Sequence, residues 1–332
     1  MAKKIKDTDY LFLSTRVRAL ETQMLTRDRM EQMLEAKVPE DAAAVLLDCG
    51  YGDIRPLTVT GLNQALSAEQ EKIYSELSFF APDPVLIDVF KVRYDYHNAK
   101  VLLKSEAMGV DGAALYSRSG RFAPEKLQEL YHEERYSELP ESFGKALAEA
   151  KSILARTANP QLADFVLDRA MFEEMLAAAK ATDCPFLTGY VRLLIDSSNL
   201  KSLVRTGRMH KDADFLRQVL LPDGNVDEDR LQAAGDGEGL TALFAHSPLE
   251  QAAARGAEAL SGGSLTAFER ACDNAVNTYL RAAKLVSYGP EAVAAYLAAV
   301  EGEITAVRMI LTGKLAGIAP ETIRERLRDL YA

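Results

Sequence analysis

Apolar residues in this chain recur at steps of three and four, the helical period, and the two-residue alternation of strands is nearly absent. Over residues 10–36, Leu11, Val17, Leu20, Met24, Leu25, Met30, Met33 and Leu34 keep that spacing with charges between them. They predict an amphipathic helix pair broken near Thr26. A short Ala-rich helix over 39–47 ends at Cys49-Gly50-Tyr51-Gly52, a helix over 61–80 is broken by Ala81-Pro82-Asp83-Pro84, and a long helix over 85–108 stops at Gly109. Further helices are predicted over 123–135, 142–157, 162–181, 186–205, 265–287 and 290–312. Gly235-Asp236-Gly237-Glu238-Gly239 and Ser261-Gly262-Gly263-Ser264 read as flexible loops. The expected fold class is all-α.

One stretch of the pattern repeats. Tyr94-Asp95-Tyr96-His97-Asn98-Ala99-Lys100 returns as Ile195-Asp196-Ser197-Ser198-Asn199-Leu200-Lys201, and again as Gly302-Glu303-Ile304-Thr305-Ala306-Val307-Arg308 with alanine in place of the asparagine. The acids at 95, 196 and 303 are 101 and 107 apart. A helix start recurs with a similar period: Leu25-Thr26-Arg27-Asp28, Phe122-Ala123-Pro124-Glu125, Val226-Asp227-Glu228-Asp229 and Ile318-Ala319-Pro320-Glu321. In each, an apolar residue precedes the cap and another follows at the fourth helical position, the spacing of a hydrophobic staple. Proline at the first helical position loses no bond, and the acid after it faces the positive end of the helix dipole.

Two markers agreeing on about a hundred residues predict three similar helical subdomains, 1–115, 116–221 and 222–332. The chain opens on the tail half of a unit and closes on a head half, so its ends can pair. The expected architecture is a pseudo-threefold funnel or ring, with the last helix closing on the first unit. Within each copy, Asp95 with Asn98, Asp196 with Asn199, and Glu303 fall on one helical stripe and suit a helix crossing that every unit reuses. Lys100, Lys201 and Arg308 fall on another, available either to the fold or to a partner on a shared axis.

Composition narrows the function. Forty-nine acids against 39 lysines and arginines give a net charge of −10, with no concentrated basic face for nucleic acid. Cys49, Cys184 and Cys272 are scattered and fit a reducing compartment better than a zinc site or disulfide framework. The basic start, Met1-Ala2-Lys3-Lys4, has no apolar run behind it, so neither a signal peptide nor a spanning helix is expected, and the protein reads as soluble. No catalytic constellation emerges. His97, His132, His210 and His246 lie far apart, Gly313-Lys314-Leu315 lacks the rest of a phosphate loop, and Glu173-Glu174 are adjacent positions that do not face one another. No cofactor and no small-molecule substrate are expected.

Arg16-Val17-Arg18-Ala19-Leu20-Glu21 after Tyr10, the two motifs around Asp95 and Asp196, and the closing Arg308-Met309-Ile310-Leu311-Thr312-Gly313-Lys314 with Pro320-Glu321-Thr322-Ile323 together resemble the C subunit of archaeal-type and bacterial V-type ATPases, relatives of the eukaryotic V-ATPase d subunit. The segments are distributed from end to end. The resemblance implies a funnel of three helical subdomains between the central rotor stalk and the membrane proteolipid ring. It implies a non-catalytic, peripheral subunit on the cytoplasmic face that transmits torque in ATP-driven proton or sodium transport or in ATP synthesis. Tyr10, Arg16 and Arg18 are candidate interface residues, with packing and salt bridges within the closure as the other reading. The competing function is an all-helical repeat scaffold for soluble partners without a membrane role.

Overall fold

A computed structural model describes residues 5–234 and 236–332. Every regular element among them is helical. The first group is α1 (Leu11–Glu21), α2 (Arg27–Glu35), α3 (Pro39–Ala44), α4 (Val59–Phe80) and α5 (Pro84–Met108). The second is α6 (Pro124–His132), α7 (Glu141–Thr157), α8 (Pro160–Ala181) and α9 (Pro185–Arg208). The third comprises α10 (Ala213–Val219), α11 (Glu228–Ala233), α12 (Gly237–Leu243), α13 (Glu250–Leu260), α14 (Leu265–Arg281), α15 (Pro290–Leu315) and α16 (Pro320–Arg326).

The three longest helices start where the sequence supplies proline. Pro84, Pro185 and Pro290 open α5, α9 and α15. Asp83 caps α5 by accepting from the Val85 amide at 3.0 Å, and Gly109 ends it at φ 63°, a conformation a side chain resists. All four recurrent head motifs start helices, namely α2, α6, α11 and α16, with Thr26, Ala123, Asp227 and Ala319 at the N-cap.

The structure departs from the sequence reading in several places: the helix expected over 39–47 gives way to a 3-10 turn after Ala44, the one expected over 123–135 ends at His132, and α10 and α13 lie outside the expected helices. The glycine-rich stretch near 237 is no loop beyond its first residues: Asp236 accepts from the Gly239 amide at 2.7 Å and caps α12, and Gly237 lets that helix approach Ala257 of α13. Gly235 lies outside the described residues. The segment 265–287 is helical only to Arg281, followed by a tighter 3-10 turn over Ala282–Leu285. The other glycine stretch is a turn between α13 and α14, and its Ser264 caps α14.

Packing centres on α5, α9 and α15. Helix α5 packs on α8, α9 packs on α13 and α14, and α15 packs on α1 and α4. Sixteen of the 26 residues of α15 are buried, so this helix is enclosed on most sides rather than amphipathic. The hydroxyl of Tyr10, a residue only 3% exposed, lies within electrostatic reach of Asp83, Cys184 and Glu291. Those residues stand at the starts of the three long helices, and α15 packs on both α5 and α9. No described helix is long and apolar enough to cross a membrane.

Candidate functional site: the repeated polar staples

The repeated acids and amides do not bond to each other. Each reaches across to the chain that leads into the next head helix. Asp95 accepts from the amides of Arg121 and Phe122 at 2.9 and 3.2 Å. Asp196 accepts from Asn225 and Val226 at the same two distances. Glu303 accepts from the amide of Leu25 at 2.6 Å. Phe122, Val226 and Leu25 occupy one position of the head motif, the residue before the cap. Core helix one thus fixes head two, core helix two fixes head three, and core helix three fixes head one, 278 residues away in sequence.

The side-chain partners differ. Asp95 also pairs with Arg121 at 2.6 Å, and Arg121 reaches on to Glu174 at 2.6 Å. Asp196 receives the Asn225 side chain at 2.8 Å, and Glu303 receives the Tyr51 hydroxyl at 2.8 Å. Burial pushes all three carboxyls above their ordinary values, opposed by these bonds. A buried ionised carboxylate is tolerated only when its lone pairs are filled. The two aspartates need a close backbone: a Cβ on Gly120 would sit 2.4 Å from Asp95 Oδ1, and one on Gly224 2.3 Å from Asp196 Oδ1. Gln23 holds the corresponding place before Leu25; there the acid is glutamate, one methylene longer.

Asn98 and Asn199 mimic a peptide. Asn98 exchanges two 2.8 Å bonds with the amide and carbonyl of Ser117, and Asn199 does the same with Leu221. Ser117 and Leu221 lie five residues before Phe122 and Val226. Five before Leu25 is Leu20, inside α1, whose carbonyl is already taken by Gln23. That position offers no orphan peptide group, which is why Ala306 suffices in the third copy.

The basic members point outward to a neighbouring long helix. Lys100 pairs with Asp168 of α8 and Lys201 with Asp273 of α14, both at 2.5 Å, whereas Arg308 meets the neutral Asn63 of α4 at 3.2 Å. Of the candidate interface residues, Tyr10 is buried, Arg16 pairs with Glu76 at 2.5 Å on the surface, and Arg18 donates to the carbonyls of Ala283 and Val286 at 2.6 and 2.8 Å.

Sequence reasoning passes over one ion pair between α5 and α15. Arg93 is ion-paired with Glu301, which also accepts from the hydroxyls of Tyr74 and Tyr94 at 2.7 and 2.9 Å. Burial disfavours the Arg93 cation, but Glu301 and the surrounding tyrosines more than offset this and raise its pKa. The pair borders a cavity of about 400 Å³ lined also by Tyr190, Ser198, Asn277 and Met309. The three cysteines are buried and free, and burial pushes Cys272 up to about 12. No cluster of three or more metal-ligating side chains occurs among the described residues.

Comparison with known proteins adds what geometry cannot. The family model described as ATP synthase (C/AC39) subunit matches residues 13–326. The C subunit of the V-type sodium ATPase of Enterococcus hirae is 25% identical, covering 97% of this chain and 99% of its own. The C subunit of the A-type ATP synthase of Methanocaldococcus jannaschii is 24% identical over 97% of this chain and 86% of its own. The C subunit of the V-type ATP synthase of Thermus thermophilus is 25% identical over 63% of this chain and 67% of its own. Matched almost from end to end, this chain belongs to the ATP synthase (C/AC39) subunit family, as a structural rather than catalytic part of a V/A-type ATP synthase.

Proposed function

We propose that this protein is the socket that couples the central rotor shaft to the membrane proteolipid ring, on the cytoplasmic face and without chemistry of its own. In this reading residues 1–115, 116–221 and 222–332 are three similar subdomains arranged as a pseudo-threefold funnel. The observation that supports it is the cyclic order of the staples, in which Glu303 of the third copy holds Leu25 of the first. A part that carries torque needs each unit fixed to the next all the way round, and an open row of repeats would leave its end units free to splay. Close-packed helices transmit strain between such points.

The test is an affinity pull-down of the tagged chain from gently detergent-solubilised native membranes, with the partners identified by mass spectrometry. Recovery of stalk subunits together with a small hydrophobic proteolipid, in a complex that hydrolyses ATP, is expected. Recovery of soluble proteins alone, without ATPase activity, would replace the socket with a helical scaffold.

A further inference from the structure

Residues 327–332, which follow α16, have no regular structure, yet Leu327 and Tyr331 are only 5% and 4% exposed. Helix α14 presents Arg270, Asp273, Asn274, Asn277 and Arg281 along one stripe, and every one of them bonds to this strap or to the end of α16. Arg270, Asn277 and Arg281 donate to the carbonyls of Glu325, Asp329 and Leu330 at 3.1, 2.6 and 2.5 Å. Asn274 accepts from the Asp329 amide at 2.9 Å, and Asp273 pairs with Arg328 at 2.7 Å. Bonds to backbone hold an extended segment in one register whatever its side chains.

The far end of the strap crosses to the first helix. The Tyr331 hydroxyl donates to Glu21 at 3.0 Å, and the Lys284 ammonium lies 4.7 Å from the centre of its ring. Glu21 pairs with Arg18 at 2.7 Å, and Arg18 donates to the carbonyls of Ala283 and Val286. Strap, α1 and the turn before α15 are therefore one hydrogen-bonded network. At the nearby joint of α15 with α4, the ion pair that links α5 to α8 and α9 to α14 is replaced by Arg308 with neutral Asn63. Asp273 is shared between Lys201 of α9 and Arg328 of the strap, so it keeps a counter-charge whether or not the strap is docked.

We propose that residues 327–331 form a latch: docked on α14, they hold α1 against the turn at 282–289, and their release opens that seam as a local unit while α5 stays folded. Segments with few buried apolar anchors and solvent-exposed bonds open locally at less cost than the whole fold. The strap has two such anchors, and the bonds that Arg270, Asn274 and Asn277 make to it and to the end of α16 are exposed. The proposal is independent of the partners suggested above.

Hydrogen exchange with mass spectrometry tests it on the full chain, on a variant lacking 327–332, and on Tyr331→Phe. The truncation should speed exchange in α1 and in 282–289 about tenfold or more and leave α5 unchanged. Tyr331→Phe keeps the packing and loses one bond to Glu21, so it should produce a smaller rise confined to α1. Unchanged α1 exchange in both variants overturns the latch, and so does a uniform rise that includes α5. If the truncated chain does not fold, Tyr331→Phe decides alone, and no rise in α1 overturns the proposal.

Discussion

Arg93 and Glu301 are ion-paired although they are the same position of the repeat. Each lies two residues before the acid of its copy, Asp95 or Glu303, and the second copy has Leu194 there. Equivalent residues of repeated elements touch only where those elements converge, as the proposed threefold arrangement requires. Removing one partner of a fully buried pair costs about 3–5 kcal/mol, because the other charge is left stranded. The Arg93 side chain is 28% exposed, so Arg93→Ala should destabilise by less than that, while Arg93→Leu combined with Glu301→Leu, matching Leu194, should cost less still. Urea denaturation of both variants measures the difference, and equal losses would argue against a desolvated pair.

Glu303 gives the seam a pH dependence. Burial raises its folded pKa above the ordinary 4.5. Below that value both states hold the proton; above it the unfolded chain ionises first, so stability falls as pH rises until the native carboxyl also ionises. Glu303→Gln keeps an acceptor for Leu25 and Tyr51 and removes this slope. The difference in melting temperature between Glu303→Gln and the parent should grow in favour of the variant as pH rises past the ordinary carboxylate range, and then level off. A difference constant with pH would show that Glu303 titrates as it does in the unfolded chain.

The asparagines and their alanine counterpart are each matched to what they face. Asn98→Ala or Asn199→Ala orphans an amide and a carbonyl and should cost about 2–3 kcal/mol. Ala306→Asn buries a polar group opposite a helix that needs nothing from it, and should also destabilise, by about 1–3 kcal/mol. Denaturation midpoints of the three variants check this; a neutral or stabilising Ala306→Asn would contradict the account of Leu20.

Gly120→Ala and Gly224→Ala should be costly for a reason unrelated to helix propensity. Each added Cβ would fall within 2.4 Å of a staple carboxylate, forcing apart the bonds that hold the head. A loss of about 2–4 kcal/mol is expected, within the range set by disrupted buried networks. Gly302→Ala, with nothing within 4 Å, is the control and should be neutral or slightly stabilising in a helix.

Much of this is legible in the sequence because local chemistry sets it. Pro84, Pro185 and Pro290 with Gly109 and Gly50 mark helix ends, and the head motif marks four starts. Helix α12 escapes that reading because Gly237 and Gly239 suggest a loop, while Asp236, one and three residues earlier, is a cap that outweighs them. The staple acids are visible as a repeat, but not their targets, since the groups they bind are backbone amides with no sequence signature. Gly120 and Gly224, each two residues before the apolar residue whose amide is bound, are the available hint. Arg93 and Glu301 cannot be paired from spacing alone, because they break the repeat by carrying opposite charges at one position.

The enclosure of α15 also bears on biosynthesis. Helices α1, α3 and α4 pack on it, and Leu25 waits for Glu303, so the first part of the chain leaves the ribosome without its principal partner. At roughly 5–20 residues per second, the delay between α4 and α15 is on the order of tens of seconds. During that interval Leu13, Val17, Leu62 and Leu66, all buried in the finished fold, have no long helix from the third segment to cover them. The apolar faces of α1 and α4 therefore gain their long-helix cover only once α15 has been made.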